Sequence, residues 1–168
     1  MADRLIQDLS LRLGAALVRT GWTLAVAESC TGGGFCAAVT DIPGSSAYFT
    51  GGVVAYRNAS KARDLGVPAS LIESSGAVSE PVAAAMAEGA RARFGADIGV
   101  GITGIAGPGG GTPDKPVGTV CLAISAGEVR RSHRRRFPGD RETVRRETVA
   151  WALAELLSLV AGGAGGMK

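Results

Sequence analysis

The chain has 168 residues, 46% apolar and 20% charged, which excludes a disordered polypeptide and is enough for one domain to bury a core without disulfides or structural metal. No apolar run reaches the roughly 18 residues of a membrane span, and Met1 to Thr20 is interrupted by charges; Cys30, Cys36 and Cys121 lack paired spacing, so a cytoplasmic protein without membrane segment, disulfide framework or zinc site is expected. The formal charge of +3 comes from a local excess at Arg130, Arg131, Arg134, Arg135 and Arg136 and at Arg141, Arg145 and Arg146; no aromatic side chains interleave for base stacking, so the first group reads as a solvated edge strand rather than a nucleic-acid surface.

Leu5, Leu9, Leu13 and Leu17 recur at helical spacing and Gly21 stops the run, which predicts an opening amphipathic helix. Thr23 to Ala27 is a short buried strand, and an apolar helical pattern resumes at Phe35 to Val39, so Ser29, Cys30 and Thr31 fall at a strand-to-helix turn closed by Gly32, Gly33 and Gly34. Gly51 to Arg57 is a second β-rich run. Asn58 caps a short helix through Leu65, Gly66 ends it, and Pro68 starts another helical piece. Ser79-Glu80-Pro81 opens a helix through Phe94, and Ala96 to Thr103 is a third buried strand. Gly104 to Pro116 is a Gly- and Pro-dense loop leaving that strand. Val117 to Ser125 and Glu128 to Phe137 form a hairpin about Ala126-Gly127, and Asp140 caps the last helix. The expected fold class is α/β, a single-domain three-layer α/β/α sandwich with a mixed sheet over residues 1–160, followed by a flexible Gly-rich tail at 161–168.

Ligands of open α/β sheets collect beyond the carboxyl ends of the strands, where three polar, glycine-bearing loops would converge. At the first turn, unpaired helix N-terminal N–H groups and the glycines suit an anion or oxyanion, although Ser29 or Thr31 could be no more than a helix cap. A serine nucleophile needs a base. The one histidine, His133, lies in the arginine-rich hairpin strand, which argues against a Ser-His-Asp triad. Lysine is scarce, and Lys61 follows strand-end Tyr56 by five positions; it is either an exposed helix lysine or a base of the Ser–Lys kind, its pKa lowered by burial. Adjacent Cys30 is a rival nucleophile.

These residues resemble the nicotinamide-nucleotide amidases, the CinA C-terminal domain family. The matching pieces are AESCTGG at 27–33, DIPGSS at 41–46, Tyr56-Arg57-Asn58 with Lys61, GAVSEPVA at 76–83, TGIAGPGGG at 103–111, KPVGTV at 115–120 and GDRETVR at 139–145. The resemblance implies a hydrolase without metal or cofactor that converts nicotinamide mononucleotide to nicotinic acid mononucleotide and ammonia. It assigns catalysis to Ser29, Lys61 and Tyr56, with Thr103 standing where many relatives carry serine. Substrate contacts are expected from Cys30, Thr31, Gly32, Gly33, Thr103, Gly104, Gly107, Lys115 and Arg145. Its expected partners are the small nucleotide and further copies of the chain, with no membrane and no nucleic acid. Some relatives add an N-terminal domain resembling molybdopterin-binding proteins, which this sequence is expected to lack. A non-catalytic nucleotide-binding or competence-associated regulatory module is the alternative function.

Overall fold

The computed structural model describes residues 2–162; most of the expected Gly-rich tail lies outside the described residues. Helix α1 (Ala2–Thr20) packs Leu9, Leu13 and Leu17 inward, whereas Leu5, one turn earlier, is 51% exposed. Strand β1 (Leu24–Glu28) is wholly buried and leads through the glycine turn into α2 (Gly34–Thr40). A 3₁₀ turn at Ser45–Ala47 precedes β2 (Phe49–Val54), which is followed by α3 (Asn58–Leu65), α4 (Ala69–Ser75) and α5 (Glu80–Phe94). Strand β3 (Ile98–Gly104), the hairpin β4 (Thr119–Ala126) and β5 (Val129–Arg136), and helix α6 (Arg141–Ala161) complete the chain.

The sheet has order β2-β1-β3-β4-β5. β1 lies parallel to both β2 and β3, and the hairpin adds β4 and β5 antiparallel, so the sheet is mixed as its pattern predicts. One layer holds α1, α2 and α6 over Leu24, Val26, Ile98 and Val100; the other holds α3, α4 and α5, whose Val82, Met86 and Ala90 cover Ala25 and Ala27. Helix α5 sits unusually close to β3. A Cβ at Gly99 would stand 2.0 Å from the Ala87 carbonyl oxygen and one at Gly101 2.1 Å from that of Ala83, so only glycine admits the helix backbone there.

Local chemistry fixes the element ends. Ser79 Oγ accepts from Val82 N and Asp140 Oδ1 accepts from Thr143 N at 2.8 Å, as their positions before α5 and α6 predict. Asn58 differs: it is the first residue of α3, the cap is Arg57, and no side chain caps that helix. Strand β5 is an edge strand, and beyond Val129 all of it is exposed. Several of its arginines are engaged locally: Arg130 pairs with Glu88, Arg136 bonds the Val117 carbonyl, and Arg135 stacks over Phe137 and Trp151.

Candidate active site

Register brings the chemistry together. Glu28 pairs with Val54 on one side and Ile102 on the other, and Ala55 N donates to the Glu28 carbonyl at 2.8 Å. Ser29 and Tyr56, beyond the ends of β1 and β2, and Thr103, near the end of β3, therefore lie near one another at the carboxyl edge of the parallel part of the sheet. They line a cavity of about 270 Å³ together with Lys61 and the glycine-rich segment after β3.

Lys61 is buried, 2% exposed, although it sits on a short surface helix. Its Nζ donates to Ser29 Oγ at 3.2 Å, to the Ala55 carbonyl at 3.0 Å and to the Tyr56 carbonyl at 3.4 Å. Burial lowers its pKa from the ordinary lysine value. The three partners also define what the neutral amine does. A neutral amine has two N–H donors and one lone pair; the two carbonyls can only accept, so the lone pair is left for the hydroxyl of Ser29. The geometry thus sets a buried serine and a buried lysine within hydrogen-bond reach of each other, and Lys61 is not an exposed helix lysine.

The adjacent thiol is placed differently. Cys30 is 4% exposed, and burial pushes its pKa up to about 12, opposed by the N–H groups of Cys30 and Thr31 and reinforced by the charge of Glu28. A thiol held protonated is a poor nucleophile. Its sulfur packs where a Cβ on Gly104 would come within 2.9 Å, so glycine is needed there to close β3 over the turn.

The turn owes its shape to Glu28, a residue the sequence reading left unassigned. Fully buried, its carboxylate accepts from Gly33 N and Phe35 N at 3.1 Å and from Cys36 N at 2.8 Å. The free N–H groups expected at the start of α2 are therefore taken by the protein's own carboxylate. Gly32 and Gly33 serve the turn instead, both with positive φ (61° and 95°), and Gly32 N closes back on the Ser29 carbonyl. The N–H groups of Cys30 and Thr31 come directly after Ser29 and lie outside that cap.

Several other expected contacts are dispersed. Thr103 lines the cavity, but its hydroxyl donates to the Ala77 carbonyl at 2.8 Å and ties β3 to the segment before α5. Lys115 donates to the Ser75 carbonyl at 2.8 Å, away from the cavity lining. Thr31 and Arg145 face a separate, larger cavity of about 590 Å³ between α1, α2 and α6, where Arg145 Nη2 donates to the Thr31 carbonyl at 2.9 Å. Gly104 and Gly107 do border the Ser29 cavity. Tyr56 does too, through an unexpected route: its carbonyl holds Lys61, while its phenol oxygen accepts from Arg141 Nη2 at 2.6 Å. Arg141 was missed although it lies within GDRETVR. The available signal was its place directly after the Asp140 cap, which puts it in the first turn of α6.

Among the described residues no group of three or more His, Cys, Asp or Glu could hold a metal ion, and none of the helices is long and apolar enough to cross a membrane. His133 stands on β5, 4.0 Å from Glu155, remote from Ser29 in the sheet order.

Residues 6–160 match the CinA C-terminal domain. The chain belongs to this family. It is 53% identical over 92% of its length to the Pseudomonas putida protein named nicotinamide-nucleotide amidohydrolase PncC, of which it covers 96%. A CinA-like protein of Mycolicibacterium vanbaalenii is 56% identical over 85% of the chain, which spans 34% of that longer relative. Among solved structures, the competence/damage inducible protein CihA of Agrobacterium tumefaciens has a TM-score of 0.89 at 41% identity, over 92% of this chain and 94% of that one. The competence damage-inducible protein A of Klebsiella pneumoniae has a TM-score of 0.91 at 37% identity, over 94% and 98%.

Proposed function

We propose that the chain is a nicotinamide-nucleotide amidase that hydrolyses nicotinamide mononucleotide to nicotinic acid mononucleotide and ammonia, with Ser29 as nucleophile and Lys61 as base. The observation that carries the mechanism is the 3.2 Å contact between Lys61 Nζ and Ser29 Oγ, with two carbonyls orienting the amine. The similarity to PncC over nearly its whole length supports the substrate.

Ser29 Oγ attacks the amide carbon as its proton passes to Lys61 Nζ. The N–H groups of Cys30 and Thr31 are the nearest in sequence to receive the oxyanion, a contribution of roughly 3–4 kcal/mol per donor in enzymes where one has been removed. The C–N bond then breaks, and the leaving nitrogen departs as ammonia with the proton held on Lys61. Water next gives a proton to Lys61 and attacks the acyl-serine; the ester bond breaks, and Lys61 returns a proton to Ser29 Oγ. Burial assists the first step by shifting Lys61 toward the neutral form.

The deciding experiment is ammonia release from nicotinamide mononucleotide by the purified protein, with the nicotinic acid product identified by mass. Nucleotide binding without ammonia release would instead support the regulatory-module reading. The free cysteines are consistent with a reducing cytoplasm, and we expect copies of the chain to associate, which analytical sedimentation reads directly.

A further inference from the structure

We propose that Arg141 is the residue by which this site selects a phosphorylated substrate, a role that rests on the amidase reading above. The cavity around Ser29 is lined by two basic side chains, Lys61 and Arg141, and among the described residues no carboxylate lines it. Lys61 lies at the buried end, committed to Ser29 and two carbonyls and shifted toward neutrality. Arg141 is exposed at the mouth, and a guanidinium keeps its charge at any working pH. The permanent positive charge of the cavity is therefore this one side chain.

Its position suits one end of a mononucleotide. Tyr56 spans the two ends: its backbone carbonyl accepts from Lys61, and its phenol oxygen accepts from Arg141 Nη2 at 2.6 Å. Arg141 Nη1 donates to the Gly107 carbonyl at 3.0 Å, so the guanidinium plane is anchored to both walls of the cavity before any ligand arrives. A substrate with its amide carbon at Ser29 thus extends along Tyr56 toward a cation fixed in direction, and a phosphate there completes a charge-assisted contact at little ordering cost. The other basic residues expected to bind substrate do not compete: Lys115 is tied to Ser75 and Arg145 faces the cavity behind the turn.

A staple between Tyr56 and Gly107 would serve every substrate alike, whereas a phosphate anchor would not. The test compares nicotinamide mononucleotide with nicotinamide riboside, which lacks only the phosphate, in the wild-type chain, Arg141→Met and Arg141→Lys. Arg141→Met is expected to lower kcat/KM for the mononucleotide roughly 10- to 100-fold, the worth of one hydrogen bond to a charged group, and to leave the riboside within about threefold. Arg141→Lys should recover part of the mononucleotide rate. Added phosphite should accelerate riboside hydrolysis by the wild type and not by Arg141→Met. Equal losses on both substrates would overturn the proposal and leave Arg141 as a staple acting through Tyr56. Calorimetric binding of the mononucleotide separates this from the amidase reading: weaker binding by Arg141→Met with no ammonia from the wild type keeps the anion site and sinks the hydrolysis. Unchanged binding to Arg141→Met overturns the anion site.

Discussion

At Lys61, one buried side chain carries both the contact with Ser29 and the expected dependence on pH. Ser29→Ala is expected to abolish ammonia release while circular dichroism stays unchanged, since a hydroxyl at a strand end is lost and no packing with it. Cys30→Ala should keep most of the rate, because the thiol is held protonated. Iodoacetamide-sensitive activity lost in Cys30→Ala and kept in Ser29→Ala would reverse the assignment. Lys61→Met is expected to cost at least roughly 10²–10⁴-fold, the usual contribution of a general base. The wild-type rate should rise with pH along a limb whose midpoint lies below 10.5, the ordinary lysine value from which burial lowers Lys61. Stability follows the same sign. Because the folded state releases the proton first, unfolding takes protons up between the lowered value and 10.5, and stability from this group increases with pH across that window. Chemical denaturation of wild type and Lys61→Met should therefore show their difference moving in favour of the wild type as pH rises toward 10.5.

At the scale of elements, the turn between β1 and α2 is held by Glu28, whose carboxylate satisfies three N–H groups in a fully buried setting. Glu28→Ala orphans all three. At about 1–3 kcal/mol for each buried unpaired group, the variant is expected to lose several kcal/mol in denaturant unfolding. It should lose activity as well, since Ser29 is the next residue; unchanged stability would show that water replaces the carboxylate. The close seating of α5 on β3 predicts a second loss: Gly101→Ala places a methyl against backbone that cannot rotate aside, and overpacking of this kind costs about 1–3 kcal/mol. These two features also separate what the sequence disclosed from what it concealed. The strand-turn-helix order was legible because an apolar run, a glycine cluster and a second apolar period meet at Ser29. Glu28 was not, because a carboxylate at the end of a strand reads as solvated until the register with Val54 and Ile102 shows it enclosed. Tyr56 was placed at the cavity, yet only the fold shows that its carbonyl serves Lys61 and its phenol meets Arg141.

At the scale of the whole molecule, the parallel β2-β1-β3 arrangement gathers the site, and the antiparallel hairpin extends the sheet to an arginine-covered edge away from it. The layers and the mixed sheet were readable from hydrophobic period and turn residues. The two cavities were not, because Arg141 and Arg145 are one helical turn apart and nothing local tells which faces Ser29; α6 packing sends the first to the Ser29 cavity and the second to the Thr31 carbonyl behind the turn. The same global view decides the expected response to chelation. Of the four aspartates Asp41, Asp64, Asp97 and Asp114, Asp97 accepts from Thr23 at 2.8 Å, Asp64 pairs with Arg63 at 2.8 Å, and Asp41 lines the cavity between α1, α2 and α6. A catalytic zinc commonly takes about three protein ligands, and no such set converges among the described residues. Ammonia release after exhaustive EDTA treatment and gel filtration is therefore expected to equal that of untreated protein. Activity lost on chelation and restored by a divalent ion would make a metal-bound water the nucleophile and displace Ser29 from that role.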